Sequence, residues 1–401
     1  MKRRRVKITG IGPVTPAGVG REAFARGIME PVSRVRELQS IVSPSGDGFV
    51  GAEVNSPEFT SQVAELNATK LPRHTQFALV GAILAARDAG FELAELKGCH
   101  PLVIAGASLM DFGVMNKILE RIAKKGPGFG LPSAVFHSSV SAISGTIAEF
   151  IGGPTQTLAL QSACCSGLDA IGHAADRVAR GESEVAICGG TEAPLYLHPM
   201  VELTMAGLAP ESVEMPERMC RPFDLWRTTG VIGEGSCMVV LEPESSPRPG
   251  YAFVEGYAYA TDQADRLLDG LGEAIRLALA NAGRHRGEVE CLNTWGPGHK
   301  LIDRAEARIL REFFGDALDA IPASSIKGAV GNPLGAAGAM QVGAAALGLR
   351  DGLIPPTVNW QYPDPDCRLN LSAQTRVVDH ELTLVNSHGL SGTNACLVLS
   401  R

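Results

Sequence analysis

The sequence predicts an α/β protein made of two similar halves. Apolar runs of strand length alternate with segments whose apolar residues recur at helical spacing, along nearly the whole chain of 401 residues. Hydrophobic residues make up 45% of the chain and 46 residues are glycine, a composition typical of a compact protein with many tight turns. One stretch rich in proline and serine, residues 243–250, separates an N-terminal half, 1–247, from a C-terminal half, 248–401.

The N-terminal half begins with a strand that starts at Val6 and ends at glycine and proline residues. We expect helices near 21–28, 74–90 and 140–151, with a buried strand over 101–107. The glycines near the start lack the Gly-x-Gly-x-x-Gly spacing of a dinucleotide loop, and no acidic residue follows a second strand about 20 residues later. We therefore expect no nucleotide site there.

The turn after residues 157–160 is the strongest candidate for chemistry. That apolar run has strand length, and a helical pattern that includes Leu168 begins with no room for a loop, so strand and helix meet in a sharp elbow. Cys164 and Cys165 lie in this turn. A thiol at a helix N-terminus is expected to have a lowered pKa and to act as a nucleophile. The alternative is a pair of buried structural cysteines.

The C-terminal half is predicted to repeat the order of the first half. The expected elements are a strand over 251–261, a helix over 268–283, a strand over 289–294, helices over 303–314 and 335–350, and a hairpin over 376–399. The similarity of the two halves is too faint in the residues themselves to prove a duplication.

Charge and cysteine content argue against several classes of protein. A net charge of −7 disfavours binding to nucleic acid or to an anionic membrane. No signal-peptide core follows the first residues, and no stretch reaches the roughly 18 apolar residues that span a bilayer. Nine cysteines without zinc-finger spacing indicate free thiols in a reducing cytoplasm and no metal site.

Two motifs carry a resemblance to a known family. Residues 162–167, Ser-Ala-Cys-Cys-Ser-Gly, resemble the nucleophile motif Thr-Ala-Cys-Ala/Ser-Ser-Gly of the β-ketoacyl-acyl carrier protein synthases, the elongating ketosynthases of fatty acid and polyketide assembly. Residues 221–235, which begin with Arg-Pro-Phe-Asp and end with Gly-Glu-Gly, resemble a second signature of this family. The register of the first motif makes Cys164, rather than Cys165, the residue that accepts the acyl chain.

This resemblance runs nearly end to end and implies the thiolase-like fold, in which two mixed sheets are separated and flanked by helices in five layers. It implies that the acyl chain arrives on the phosphopantetheine of an acyl carrier protein or on coenzyme A, with no other cofactor. It also implies a dimer, in which strand 155–160 pairs with its counterpart in a second copy or in a partner ketosynthase.

The motifs that carry the family's two catalytic histidines are altered in this chain. They match residues 293–299 and 327–338, where Trp295 and Asn332 take the histidine positions, so the chain resembles a divergent member without either histidine. In the family the two imidazoles polarise the malonyl carbonyl while carbon dioxide leaves. Trp295 can donate one N–H and cannot accept a proton, and Asn332 can donate to a carbonyl but cannot shuttle protons.

Other positions around the site keep the family's residue types. Glu306 and Lys327 resemble a buried ion pair behind the nucleophile, which as a generic pair would be structural only. Residues 388–394 resemble the loop Phe-Gly-Phe-Gly-Gly-Thr-Asn, which implies an oxyanion hole formed by the N–H groups of Cys164 and Leu390. Leu390 replaces the gatekeeping phenylalanine of that loop.

Two histidines stand where the family has none. His299 lies four residues after Trp295, and His388 takes an aromatic position of the loop. Either histidine could restore a base to the site. The alternative is that each is a polar residue with no part in catalysis.

These observations leave three hypotheses for the function. The first is an acyltransferase that loads an acyl chain onto Cys164 and passes it on, with malonyl-decarboxylating condensation impaired. The second is a condensing enzyme that uses His299, His388 and Asn332 in a rearranged apparatus. The third is a non-catalytic partner of another ketosynthase, similar to a chain-length factor, which ranks lowest because such partners have typically lost the cysteine. The acyl chain and its acceptor stay open.

Overall fold

The computed structural model describes residues 3–41, 48–211 and 213–401. The strands are β1 (Val6–Thr15), β2 (Gly18–Val19), β3 (Arg36–Glu37), β4 (Val50–Gly51), β5 (Leu102–Gly106), β6 (Gln156–Leu160), β7 (Ala186–Glu192), β8 (Gly235–Pro243), β9 (Ala252–Thr261), β10 (Cys291–Asn293), β11 (Ala323–Ser324), β12 (Leu353–Ile354), β13 (Arg376–Val377), β14 (Leu382–His388) and β15 (Thr393–Ser400). The helices are α1 (Arg21–Met29), α2 (Pro57–Glu65), α3 (Arg73–Asp88), α4 (Leu93–Gly98), α5 (Phe112–Lys125), α6 (Ser133–His137), α7 (Ser141–Ile151), α8 (Ser166–Ala179), α9 (Leu197–Met205), α10 (Asp269–Ala282), α11 (Lys300–Phe314), α12 (Lys327–Val330) and α13 (Ala337–Asp351).

The main sheet consists of two halves with the same topology. The strand order is β6-β5-β7-β8-β1 in the N-terminal half and β11-β10-β14-β15-β9 in the C-terminal half. In the first half β5 is parallel to β6 and β7, while β8 is antiparallel to β7 and β1. In the second half β10 is parallel to β11 and β14, while β15 is antiparallel to β14 and β9. The two similar halves expected from the sequence are therefore present.

The two halves of the sheet are joined edge to edge. Three residues of β1, Val6 to Ile8, pair with three residues of β9, Ala252 to Val254. The resemblance implied two separate sheets, whereas here the two sheet halves are joined by this short pairing. The pairing satisfies backbone N–H and C=O groups that would otherwise be left open at two neighbouring edges. The boundary between residues 247 and 248 falls in the connection from β8 to β9 and stays a prediction.

Helices and sheet halves alternate in five layers, which confirms the expected fold class. Helices α3 and α7 cover the outer face of the N-terminal sheet half, and α10 and α11 cover the outer face of the other half. Between the two halves lie α8 and α13, whose apolar side chains, such as Leu168 and Met340, share one buried cluster. Since α13 is buried on every side from Ala337 to Leu349, it has no polar face.

No helix in the described residues is long and apolar enough to cross a membrane. Each of the nine cysteines is a free thiol, as the sequence predicted.

Strand β6 forms an open edge of the sheet. It pairs with β5 on one side only, and its apolar Leu158 is 39% exposed. An exposed edge strand presents unpaired N–H and C=O groups that readily pair with another chain. The edge therefore has the character expected of a dimer contact.

We expect the protein to be a dimer at micromolar concentration, with β6 paired to a strand of a second chain. Substitution Leu158→Lys, which places a charge in the middle of this edge, should give a monomer. Size-exclusion chromatography with light scattering measures both masses. The matched control is Val377→Lys on β13, which alters an apolar residue that is 85% exposed elsewhere and should stay dimeric. A monomeric wild-type protein would contradict the prediction.

Candidate active site

The elbow between β6 and α8 presents Cys164 just ahead of the first turn of α8. Ala163 has a left-handed backbone with φ of 52°, a conformation that costs a non-glycine residue energy and persists only when its surroundings hold it. The hydroxyl of Ser166 holds this turn. It accepts the N–H of Ser162 at 2.9 Å and donates to the carbonyl of Ala163 at 2.5 Å.

Glycines allow the first turn of α8 to pack directly on its neighbours. A methyl group on Gly167 of α8 or on Gly190 of β7 would lie 2.6 Å from the carbonyl oxygen of Gly335. Any larger residue at these positions would force the three segments apart, because their backbone atoms are already in contact. The N-terminal elbow and the segment before α13 are thereby fixed against each other.

The structure distinguishes the two cysteines of the elbow. Cys165 is completely buried, and its sulphur lies 3.5 Å from the carbonyl oxygen of Thr393. Cys164 is 6% exposed and lines a narrow pocket with a cavity volume of about 20 Å³. Of the two thiols, Cys164 is thus the one that faces a pocket, and its role as the acyl acceptor stays a prediction from the register of the sequence motif.

This pocket brings together six of the residues that the sequence singled out. Its walls are formed by Cys164, Leu208, Gly230, Ile232, Trp295, Pro297, His299, Ile302, Asn332, Leu334, His388 and Leu390. Cys164, Trp295 and His388 each lie at or just after the carboxyl end of a strand that has a parallel neighbour. Such strand ends are the usual place for a site in α/β proteins.

Burial dominates the electrostatics of the nucleophile. It raises the pKa of the Cys164 thiol to about 12, and the Glu192 carboxylate acts in the same direction. The N–H of Leu390, Lys327 and the N–H of Cys164 itself lower this pKa without offsetting the burial. The expectation of a lowered pKa at the helix N-terminus was therefore wrong, because removing a thiolate from water costs more than these partners return.

The two N–H groups predicted to form the oxyanion hole, those of Cys164 and Leu390, both lower the pKa of the Cys164 thiol and so lie near its sulphur. Leu390 lies on an open part of its loop, with 58% of its surface exposed. An acyl group on the sulphur would bring its carbonyl oxygen close to both donors. Their role in catalysis stays a prediction.

Glu306 and Lys327 do not form the direct ion pair that the resemblance implied. Between these two described residues there is no salt bridge; each binds Trp295 instead. Glu306 accepts the backbone N–H groups of Trp295 and Gly296, both at 2.8 Å. Lys327 Nζ donates to the carbonyl of Trp295 at 2.5 Å and lies 3.9 Å from the centre of its indole ring. Burial raises the pKa of Glu306 and lowers that of Lys327.

Trp295 and Asn332 both face the pocket. Trp295 is 2% exposed and is one of the largest fully enclosed side chains of the protein. The backbone of Asn332 is held by Val231 and Gly233, at 2.7 and 2.9 Å, whereas its Oδ1 is buried and has no hydrogen-bond partner in the described chain. The Asn332 side chain is thus a polar group left available to a substrate.

The two added histidines have different environments. His299 precedes α11, and its Nδ1 accepts the N–H groups of Leu301 and Ile302 at 3.2 and 3.4 Å. It is a helix cap, and burial lowers its pKa. His388 is 2% exposed, and its Nδ1 lies 2.9 Å from Oδ1 of Asn394.

Two residues of the site were missed in the sequence. Gln341 of α13 is completely buried; its Oε1 accepts from Lys327 at 3.0 Å, and its Nε2 donates to the carbonyl of Thr294 at 2.9 Å. Glu192 accepts the N–H groups of Ser108 and Gly335 at 2.8 and 3.0 Å. The signal for Gln341 was a single amide within the apolar run 337–349, and the signal for Glu192 was a carboxylate at the end of a buried strand.

Comparison with known proteins identifies the family. The family models for the N-terminal and C-terminal domains of β-ketoacyl synthases match residues 3–246 and 251–361. The chain therefore belongs to the β-ketoacyl synthase family, a class of transferases that includes condensing enzymes.

Relatives and solved structures agree with this assignment. The chain is 30% identical to 3-oxoacyl-acyl-carrier-protein synthase 2 of Coxiella burnetii, over 100% of the chain and 99% of the relative. It matches the ishigamide ketosynthase/chain length factor with a TM-score of 0.91 and 28% identity, over 99% of both chains. A type II polyketide synthase ketosynthase in complex with its acyl-carrier protein gives a TM-score of 0.90 at 26% identity, again over 99% of both chains.

We expect Cys164 to be a neutral thiol near neutral pH. Its thiolate absorbance in the ultraviolet, taken as the difference between wild type and Cys164→Ala, should appear only well above the free-cysteine pKa of about 8.5. The raised pKa of Cys164, about 12, sets this direction. A difference spectrum that shows thiolate at neutral pH would contradict the expectation.

Proposed function

We propose that this chain is an acyltransferase of the ketosynthase family that loads an acyl chain onto Cys164 and passes it on, with ordinary malonyl-decarboxylating condensation impaired. The observation that carries the proposal is the composition of the pocket. It holds Cys164 with two N–H groups near its sulphur, while Trp295 and Asn332 occupy the positions that resemble those of the catalytic histidines.

The indole at position 295 is a poor substitute for an imidazole. It offers one N–H donor and no nitrogen that can accept a proton. Because Trp295 is almost completely enclosed and stacks on Lys327, it also has little freedom to turn toward a substrate. The developing enolate of a malonyl group would therefore lose most of the stabilisation expected at this position.

The amide at position 332 retains part of the chemistry. Its NH₂ group can donate to a thioester carbonyl, and its Oδ1 has no hydrogen-bond partner among the described residues. Asn332 thus supports binding and polarisation of a thioester better than proton transfer.

We propose an acyl carrier protein as the donor of the acyl chain, with coenzyme A as the alternative. Support comes from the similarity to a ketosynthase that is complexed with its acyl-carrier protein. The open edge of β6 fits a dimer, either with a second copy or with another ketosynthase. A cytoplasmic location stays a prediction from the sequence.

A condensing enzyme with rearranged residues is the second candidate, and the free Oδ1 of Asn332 together with the buried His388 in the pocket favours it. A non-catalytic subunit remains the weakest candidate, because such subunits have typically lost the cysteine, whereas this chain keeps Cys164 in the pocket.

We predict that acyl loading depends on Cys164 and not on Cys165. Incubation with a panel of acyl thioesters should add the mass of one acyl group to wild type and to Cys165→Ala, but nothing to Cys164→Ala. The reason is that Cys165 is sealed in the core whereas Cys164 lines the pocket. Intact-mass spectrometry provides the measurement. Loading of Cys164→Ala would overturn the assignment.

We predict slow release of carbon dioxide from malonyl carrier protein. Loss of one well-placed oxyanion donor commonly lowers the rate about 100- to 1,000-fold. The double variant Trp295→His with Asn332→His should raise the release rate, and the single variants show which position limits it. Because the smaller ring leaves a cavity beside Lys327, thermal denaturation of each variant serves as the control for folding. Brisk release by the wild type would move the condensing enzyme ahead of the acyltransferase.

A further inference from the structure

His388 is held in one orientation by its neighbours. Its Nδ1 lies 2.9 Å from Oδ1 of Asn394, and the amide nitrogen of Asn394 donates to Oδ1 of Asp262 at 2.6 Å and to the carbonyl of Gly392 at 3.2 Å. Because two acceptors fix the Asn394 NH₂ group on that side, its oxygen must face the imidazole. Nδ1 of His388 therefore carries the hydrogen, and Nε2 has the free lone pair.

The imidazole of His388 and the thiol of Cys164 line the same small pocket. Among the described residues the ring is hydrogen-bonded through Nδ1, and no hydrogen bond joins it to the Cys164 sulphur, so proton transfer between them needs a bridging water or a small approach of the two side chains. The end of β14 also runs directly beside the nucleophile. The hydroxyl of Ser387 donates to the carbonyl of Cys164 at 3.3 Å, and a methyl group on Gly389 would lie 3.4 Å from the backbone nitrogen of Cys164.

Among the described residues that line the pocket, His388 is the base best placed for the proton of the thiol. Lys327 and Glu192 also act on the Cys164 pKa, but Lys327 donates to Trp295 and Gln341, and Glu192 accepts from Ser108 and Gly335. His299 accepts two backbone N–H groups of α11 with Nδ1, and its ring also contacts the backbone of Gly207. Trp295 has no basic nitrogen, and the amide of Asn332 is not a base. Burial lowers the pKa of His388, against the opposing effects of Asn394 and Asp262, so the imidazole is neutral near neutral pH. A neutral imidazole is the form that accepts a proton.

We propose that His388 is the general base and acid for Cys164, with Asn394 as the positioning residue that fixes its tautomer and Asp262 as the anchor of Asn394. This proposal rests on the proposed acyl transfer through Cys164 and names the residue that moves its protons. The arrangement has the logic of a cysteine–histidine–asparagine triad, in which a third side chain orients the base.

The loading step balances within this arrangement. The S–H proton of Cys164 moves to Nε2 of His388 as the sulphur bonds to the thioester carbonyl carbon. The carbonyl oxygen takes the electron pair and accepts the N–H groups of Cys164 and Leu390. The bond to the carrier sulphur then breaks, and the proton on Nε2 passes to the departing thiol.

Release of the acyl chain uses the same base. An acceptor with an S–H, O–H or N–H group gives its proton to Nε2 of His388 while its heteroatom bonds to the acyl carbon. The Cys164 sulphur then leaves and takes this proton. The arrangement therefore points to a thiol, hydroxyl or amine as the acceptor class, since a carbon acceptor needs loss of carbon dioxide first.

The first experiment measures alkylation of Cys164 by iodoacetamide over a range of pH. In wild type the rate should rise through the lowered pKa of His388 and then level off around neutral pH. His388→Phe, which keeps an aromatic ring at the position, should alkylate about 100- to 10,000-fold more slowly at neutral pH and lose this plateau. His388→Gln, whose amide can still donate to Asn394, should behave in the same way and covers the case that the phenylalanine variant does not fold.

The second experiment separates proton transfer from a merely structural role. Asp262 is the charged group that acts on the His388 pKa, and it does so across Asn394. Asp262→Asn removes the charge. With its amide oxygen at the Oδ1 position it still accepts from Gly270 and Asn394, while the N–H group of Leu268, which binds Oδ2, loses its acceptor. In this variant we expect the acidic limb of the pH profile of Cys164 alkylation to move to lower pH, because the His388 pKa falls further without the negative charge. The rate at the plateau should change little, a pattern that loss of packing would not produce.

Acyl loading measured by intact mass tells the two proposals apart. Wild type that shows the His388-dependent alkylation profile but accepts no acyl thioester would refute the acyl transfer and support the relay. His388→Phe and His388→Gln variants that alkylate and load at the wild-type rate, with an unchanged pH profile, would overturn the relay and leave the acyl transfer in place.

Discussion

The contact of three glycines beneath Cys164 is the constraint on which the site depends. Gly167 lies in the first turn of α8, Gly190 lies on β7, and Gly335 lies just before α13, and no side chain fits between them. Because α8 belongs to the N-terminal half and α13 to the C-terminal half, this contact joins the two halves at the nucleophile. Asn332 lies three residues before Gly335, so the same contact also fixes its distance from the thiol.

Trp295 is held mainly through its backbone. Its N–H binds Glu306 and its carbonyl binds Lys327, so both buried charges are satisfied whichever side chain stands at this position. This explains how the position can carry an indole without breaking the network behind it. The indole adds a contact of its own, because its ring faces the ammonium of Lys327. Glu306 and Lys327 are thus connected through the backbone of Trp295 and do not form a direct ion pair.

Much of the fold followed from sequence periodicity because the core elements are strongly patterned. The expected helices at 74–90, 303–314 and 335–350 are present as α3, α11 and α13 within a few residues. Helix α5 was not predicted, because only Gly113 of its residues is buried and its apolar side chains stay at least partly exposed in the single chain. A pattern can be interpreted reliably only where one face of the element meets a core.

By itself, the sequence determined the order of elements and the elbow, since these depend on local spacing, and the resemblance of its motif predicted Cys164 rather than Cys165 as the acyl acceptor. Only the tertiary structure decided the direction of the Cys164 pKa shift and the surroundings of His299 and His388. Nothing adjacent in the chain distinguishes the two histidines: one caps α11, and the other meets Asn394 across a tight hairpin. The protonation of a thiol or an imidazole depends on its burial and on partners from distant segments of the chain. These partners come close only after the two halves have packed together.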